Sequence, residues 1–334
     1  MVRPLALTMG DPAGCGPQIT VSAWNALKDT FKRPFFVIAD PQAFADRTVI
    51  ETIAAPEDAA ELFHDKLPVL PLNNAIPSDL NCGTPNEAAA DAILESIATA
   101  TALVRNDRAA AIVTNPISKA VLYRAGFEFP GHTEFIAHLC TPNGKTVSTP
   151  VMMLVGGGLR VALATIHIPL MQVAETLTEA LLIDIAQKTA DGLQHSFGIS
   201  KPRLAFTGLN PHAGESGTIG REEIEIINPA ATKLRAMGLQ ISDARPGDTV
   251  FSEALSGAYD AVIAMTHDQG LIPVKTLDIW GGVNTTLGIP ILRTSPDHGT
   301  AYDAAASGTA KPDSLIAAMK LADEMAKNRF GAHG

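Results

Sequence analysis

Residues 261–312 read AVIAMTHDQGLIPVKTLDIWGGVNTTLGIPILRTSPDHGTAYDAAASGTAKP. The segment opens on a short apolar run, Ala261 to Met265, closed by Thr266-His267-Asp268-Gln269-Gly270. A run of that kind, ended by polar residues and Gly, reads as a buried parallel strand that delivers its last side chains to a loop. Lys275, Asn284, Arg293 and the cluster Asp297-His298-Gly299-Thr300 follow at short intervals. Lys holds carboxylate or phosphate as a point charge and Arg as a planar fork. The stretch is therefore a candidate site for a small, anionic, metal-bound substrate.

A single histidine in a loop is ordinarily solvated or structurally bonded, but here the pattern repeats. Val161 to Ile166 runs into His167, and Leu204 to Leu209 runs into Asn210-Pro211-His212. His167, His212 and His267 thus share a position at or just past the carboxyl ends of apolar runs. In open α/β sheets that edge is where ligands bind, and imidazole is a common metal ligand.

Bulk properties bound the rest. At 334 residues the chain is longer than a single core usually supports, so two domains are expected. Hydrophobic residues make up 46% and charged residues 18%, the balance of a soluble globular protein. A net charge of −10 argues against nucleic acid or an anionic membrane as partner. No apolar run approaches the roughly 20 residues of a membrane span, and the N-terminus lacks a signal-peptide core. Cys15, Cys82 and Cys140 are odd in number and widely spaced, forming neither a disulfide framework nor a zinc motif. The simplest location is the cytoplasm.

Taken in order, the chain alternates strands and helices, which argues for a parallel sheet covered on both faces. Residues 4–9 (PLALTM), 34–39 (PFFVIA), 67–72 and 109–113 read as strands. The turn at 10–16 has Gly14 and Gly16, but Ile19 stands where a dinucleotide fingerprint needs its third glycine, so it reads as a tight turn. A helix is expected to start near Thr84–Glu87 and run to Arg105, and Thr133 is expected to cap the helix after Gly131. His132 reads equally as a cap-region residue or as a donor to an anion at that helix N-terminus. Gly156-Gly157-Gly158 marks a hairpin or tight connection, 175–197 reads as one long amphipathic helix, and 213–220 as a flexible loop.

Several blocks then come together: TMGDPAG (8–14), PGHTEF (130–135), GLNPHAGE (208–215), THDQG (266–270), GVNTTLG (282–288) and RTSPDHGT (293–300). Spanning nearly the whole chain, they resemble the 4-hydroxythreonine-4-phosphate dehydrogenase family. That resemblance implies the fold of the isocitrate and isopropylmalate dehydrogenases, two α/β/α domains with a cleft between them and no glycine fingerprint. Residues 1–127 with 272–334 would form the cofactor-side domain, and 128–271 the domain with the metal histidines and the dimer interface.

It also implies site roles. His167, His212 and His267 would hold one divalent ion (zinc, magnesium or cobalt), two from one subunit of a homodimer and one from its partner. His132, Thr133, Lys275, Asn284 and Arg293 would bind substrate. His298, Gly299, Thr300 and Asp303 lie in a stretch similar to the adenosine-binding loop of the β-decarboxylating dehydrogenases and would bind NAD or NADP. His132, Asp248 and Lys275 are candidates for proton transfer. Cys15, Gln18 and Thr266 depart from residues usual in the family, which leaves fine substrate preference open.

The implied activity is oxidation of 4-phosphohydroxy-L-threonine to a 3-keto acid that decarboxylates to 3-amino-2-oxopropyl phosphate, in vitamin B6 biosynthesis. A sister group oxidises 4-phosphorylated threonate or erythronate with nearly the same motifs. Two other classes use similar residues: a metal-dependent phosphohydrolase, which usually adds Asp or Glu ligands, and a binding protein for phosphorylated metabolites, which needs no metal.

Overall fold

The computed structural model describes residues 2–331 except Asp46, Asn143, Gly144 and Thr146. From the N-terminus come β1 (Leu5–Thr8), α1 (Gly16–Leu27), β2 (Phe35–Ala39), β3 (Ile50–Thr52), α2 (Ala59–Leu62), β4 (Leu67–Pro71), α3 (Ala90–Arg105), β5 (Ala111–Val113), α4 (Lys119–Arg124) and α5 (His132–Cys140). The middle of the chain supplies β6 (Val151–Gly156), β7 (Leu159–Leu163), α6 (Leu170–Thr176), α7 (Glu179–Phe197), β8 (Arg203–Thr207), α8 (Asn228–Ala236), β9 (Gln240–Arg245), α9 (Val250–Leu255), β10 (Ala261–Ala264), α10 (His267–Leu277) and β11 (Val283–Leu287). It closes with β12 (Arg293–Pro296), α11 (Tyr302–Ser307) and α12 (Asp313–Phe330).

Contacts divide the chain into two units, Met1–Pro150 with Ile289–Gly334, and Val151–Gly288. These limits differ from the expected 127/128 and 271/272. Helix α5 packs on α3 in the first unit, and β11 pairs with β6 in the second, so both flanking segments change sides.

In the first unit the strands lie in the order β3-β4-β2-β1-β5-β12, with parallel pairing throughout. All residues of β1, β2 and β5 are buried, the continuous apolar run of a sheet covered by helices. Helix α3 packs against β1, β2 and β5, and α12 against β1, β5 and β12. Arg33 anchors α12 by donating from Nε to Asp323 Oδ1 at 2.7 Å, with both side chains buried. Within the expected start at 84–87, Asn86 caps the approach to α3, accepting from the backbone N–H of Ala88 at 3.0 Å.

The second unit is mixed. Its strand order is β11-β6-β7-β10-β8-β9, and β6 runs antiparallel to both neighbours. Gly157 (φ +59°) and Gly158 (φ +85°) turn β6 back into β7, so a wholly parallel sheet is not formed here. Met152, Leu154, Val161, Leu163, Val262 and Ala264, alternate residues of three strands, make one apolar face with Phe251, Leu271 and Val274 of α9 and α10. The long helix expected over 175–197 forms as α7 from Glu179 to Phe197 but starts four residues later: α6 ends at Thr176, and Thr178 caps α7 by accepting from Leu181 N–H at 3.2 Å. Among the described residues no helix is long and apolar enough to cross a membrane.

Candidate active site

The second unit carries the histidines. His167 follows β7, and its ring lies 5.6 Å, centroid to centroid, from that of His267. His267 is the first residue of α10, which Thr266 caps through the N–H of Gln269 at 3.4 Å. The Nδ1 of His267 bonds Asp268 Oδ1 at 2.8 Å, which orients the ring and leaves Nε2 as the nitrogen that could take a ligand. Lys275 lies two turns further along α10, on the same face as His267.

Gln269 knits the strand ends together. Its Oε1 accepts from Met265 N–H at 2.9 Å and Thr207 Oγ1 at 2.7 Å, and its Nε2 donates to Gly208 O at 2.8 Å. A Cβ on Gly247 would stand 2.9 Å from Gln269 Nε2, so the turn bearing Asp248 is packed against it. Asp248 itself is exposed.

His212 lies in an unusual turn rather than a featureless loop. His212, Ala213, Gly214, Glu215 and Ser216 all have positive φ, from +44° to +80°. Left-handed backbone costs non-glycine residues roughly 1–2 kcal/mol each. Among the described residues no group of three His, Cys, Asp or Glu side chains is arranged to hold a metal ion. One chain thus brings His167 and His267 together but does not complete a site with His212.

On β11, Asn284 presents a buried Oδ1 with no hydrogen-bond partner among the described residues. Such an atom is costly in an isolated chain and is a natural point for a ligand donor.

The first unit carries a buried cationic cluster. Arg293, at the start of β12, is 3% exposed, and its Nε and NH2 groups donate to Thr114 Oγ1 at 3.2 and 2.9 Å. Its third nitrogen lies 3.5 Å from Thr133 Oγ1. Thr133 therefore serves Arg293 and does not cap α5; Gly131 occupies the cap position without a side-chain bond. Burial pushes the Arg293 pKa down to about 10, so the guanidinium stays charged at neutral pH. His132 Nε2 is buried with no hydrogen-bond partner among the described residues, and burial, with Arg293 and Lys119 adding, holds its pKa well below 6.5. A neutral imidazole, a buried fork and a nearby ammonium form a site for an anion.

The stretch from His298 to Asp303 lies against the glycine turn at 10–16. Cys15 N–H donates to Thr300 O at 2.8 Å, and a Cβ on Gly14 would stand 2.9 Å from that oxygen. Gly14 is thus explained by close backbone approach, as a tight turn. Tyr302 OH donates to Asp11 Oδ2 at 2.5 Å, and Ala301 between them and Thr300 has φ +46°. His298, Gly299 and Asp303 are exposed.

Sequence reasoning passed over Thr114, Lys119, Asp268 and the Asp11–Tyr302 pair. Asp268 stood beside a candidate ligand and could have been weighed; Thr114 and Tyr302 gain meaning only through partners far along the chain.

The model of the family described as "Pyridoxal phosphate biosynthetic protein PdxA" matches residues 31–322. The 4-hydroxythreonine-4-phosphate dehydrogenase of Methylorubrum populi is 49% identical over 331 residues, covering 97% of this chain and 95% of that protein. The enzyme of the same name from Caulobacter vibrioides is 48% identical, with 98% of each covered. Among solved structures, 4-hydroxythreonine-4-phosphate dehydrogenase from Klebsiella pneumoniae superposes with a TM-score of 0.85 at 37% identity, covering 97% of this chain and 99% of that one. A terephthalate 1,2-cis-dihydrodiol dehydrogenase from Burkholderia xenovorans superposes with a TM-score of 0.66 at 28% identity, covering 96% and 98%.

Proposed function

The chain belongs to the PdxA family of pyridoxal phosphate biosynthetic proteins and is an oxidoreductase, and from that premise we propose its substrate, cofactors and residue roles. The reading is NAD-dependent oxidation (NADP being the other candidate) of 4-phosphohydroxy-L-threonine at its secondary alcohol, with loss of carbon dioxide to give 3-amino-2-oxopropyl phosphate. The observation that carries it is the pair His167–His267, ring to ring at 5.6 Å behind a strand edge, with Asp268 holding one ring.

These residues suit a divalent ion. Two imidazoles stand together and an orienting carboxylate backs one of them. His212 of the partner subunit would complete the set. Exposed Leu170 and Met171, 75% and 87% accessible just after His167, support a second copy covering this edge. An ion held there would supply positive charge to the oxygen of the substrate's secondary alcohol, and a bound nicotinamide would supply the hydride acceptor. Zinc, magnesium and cobalt are the candidates, since imidazoles suit several divalent ions.

The chain's own residues do the rest. Arg293, with His132 and Thr133, takes an anionic end of the substrate, and Lys275 and Asn284 hold and orient it. Neutral His132 donates or accepts a hydrogen bond without adding charge. Lys275, Asp248 and His132 remain the candidates for taking the hydroxyl proton. His298, Gly299, Thr300 and Asp303 take the cofactor's adenosine end. The three free thiols accord with a reducing cytoplasm.

Phosphorylated threonate or erythronate is the second substrate reading, because a buried guanidinium reads the phosphate that these molecules share. Turnover of the two substrates side by side, followed at 340 nm with NAD, tests the assignment: the hydroxythreonine ester should be oxidised with the higher kcat/KM. A phosphohydrolase would release phosphate with no change in absorbance.

A further inference from the structure

Glu223 is 2% exposed and has no role in the chemistry described above. Its Oε1 accepts from the backbone N–H groups of Leu209 and Asn210, both at 2.8 Å. Its Oε2 accepts from Asn210 Nδ2 at 3.0 Å. The residues so held lead directly into Pro211 and His212.

The turn beyond is wrapped on the same carboxylate. A Cβ on Gly214 would stand 2.5 Å from Glu223 Oε2, and one on Gly208 would stand 3.1 Å from Oε1. Four non-glycine residues, His212, Ala213, Glu215 and Ser216, are left-handed in between. At roughly 1–2 kcal/mol each, that backbone persists only where its surroundings over-determine it. Glu223 also opens a single π-turn, Glu223–Ile227, which runs on into α8. Such an insertion re-aims the residues at its start and is found often at functional sites.

We infer that Glu223 is the positioning residue for His212: its buried carboxylate fixes the Leu209–Asn210 backbone and so holds the left-handed turn that presents the imidazole to the metal. This rests on the reading of His212 as a metal ligand. Glu222 is the natural control, since its Oε2 accepts from Asn210 Nδ2 at 2.7 Å but touches neither of the two backbone N–H groups. Ile227, wholly buried, is a second control that loosens the same segment without touching the turn's hydrogen bonds.

The test is cobalt(II) titration of chelator-stripped protein, by calorimetry and by the visible absorption of the bound ion, with apo melting temperature measured beside it. Glu223→Leu, of similar size but with no acceptor for the two backbone N–H groups, should weaken cobalt binding by about tenfold or more, as outer-sphere changes typically do. Gly214→Ala, which crowds the turn while leaving Glu223 in place, should give the same loss. Glu222→Gln and Ile227→Val should stay within about threefold of the parent, even where Ile227→Val lowers the melting temperature as much. Parental cobalt affinity in both Glu223→Leu and Gly214→Ala, or a loss no larger than that of Ile227→Val, overturns the proposal. A parent enzyme that binds no cobalt overturns the metal reading itself, and this inference falls with it.

Discussion

Tyr302 donates its phenolic proton to the buried Asp11 across 2.5 Å, joining the start of α11 to the glycine turn after β1. Burial raises the pKa of both groups, that of Tyr302 to about 12, so the phenol keeps the proton it donates at neutral pH. The bond closes the His298–Asp303 stretch onto a rigid support. Tyr302→Phe removes one donor from a buried carboxyl, at a cost of about 1–3 kcal/mol. The melting temperature should fall by several degrees, and KM for NAD should rise while KM for the phosphorylated substrate holds. Steady-state kinetics with each reactant varied separates the two; an unchanged KM for NAD would show that the loop does not carry the cofactor.

Arg293 is expected to bind substrate rather than stabilise the fold. Burying a guanidinium costs desolvation free energy that an apolar side chain of similar volume does not incur. Arg293→Met should therefore melt within a few degrees of the parent and lose on the order of a hundredfold in kcat/KM through the lost bidentate grip. Arg293→Lys should recover little, since an ammonium does not reproduce the fork that reaches Thr114 and Thr133. Equal substrate affinity in calorimetry for Arg293→Met and parent would remove the assignment.

His132 gives a pH signature in the ligand-free protein. Its folded pKa is depressed by burial, with Arg293 and Lys119 adding to the effect. The unfolded chain then binds the proton more readily, so the contribution to stability is complete above about pH 6.5 and is lost as pH falls towards the folded pKa. His132→Asn abolishes that titration. The melting temperature of the variant relative to the parent should rise on going from about pH 7 to about pH 5. A difference independent of pH would mean that His132 is not held neutral by the fold.

The proposed sharing of the site between subunits makes a complementation test available. His212→Ala and His267→Ala should each be inactive alone, because in the proposed dimer each would remove a ligand from both sites. Mixed after dissociation and reassembly, they should regain roughly a quarter of parental activity, since about half the dimers are mixed and each of those has one intact site. No recovery, despite mixed dimers in mass spectrometry of the intact assembly, would place all three histidines in one chain.

Much of the frame was legible because it rests on local patterns. The apolar runs at 5–8, 35–39 and 261–264 are buried strands, and the histidines following three such runs sit at sheet edges as read. Other features depend on partners that local reading does not supply. Thr133 has the composition of a cap, but Arg293, 160 residues away, engages its hydroxyl. The helix across 175–197 looked continuous by period, yet Thr178 competes as a cap and starts a new helix. Alternation of strands and helices suggested a parallel sheet, and the Gly157-Gly158 turn reverses β6 against it. Asp11 and Tyr302, 291 residues apart, meet only in the folded chain.

The central claim is that this chain oxidises and decarboxylates 4-phosphohydroxy-L-threonine with a divalent ion at its histidines. The most direct measurement follows reduced nicotinamide at 340 nm and released carbon dioxide together, from that substrate and NAD, before chelation, after it, and after cobalt is restored. The account predicts both products in equal amounts, carbon dioxide never ahead of reduced cofactor, both lost together on chelation and both regained with cobalt. Turnover that survives complete removal of metal, or phosphate release without reduced nicotinamide, would contradict it.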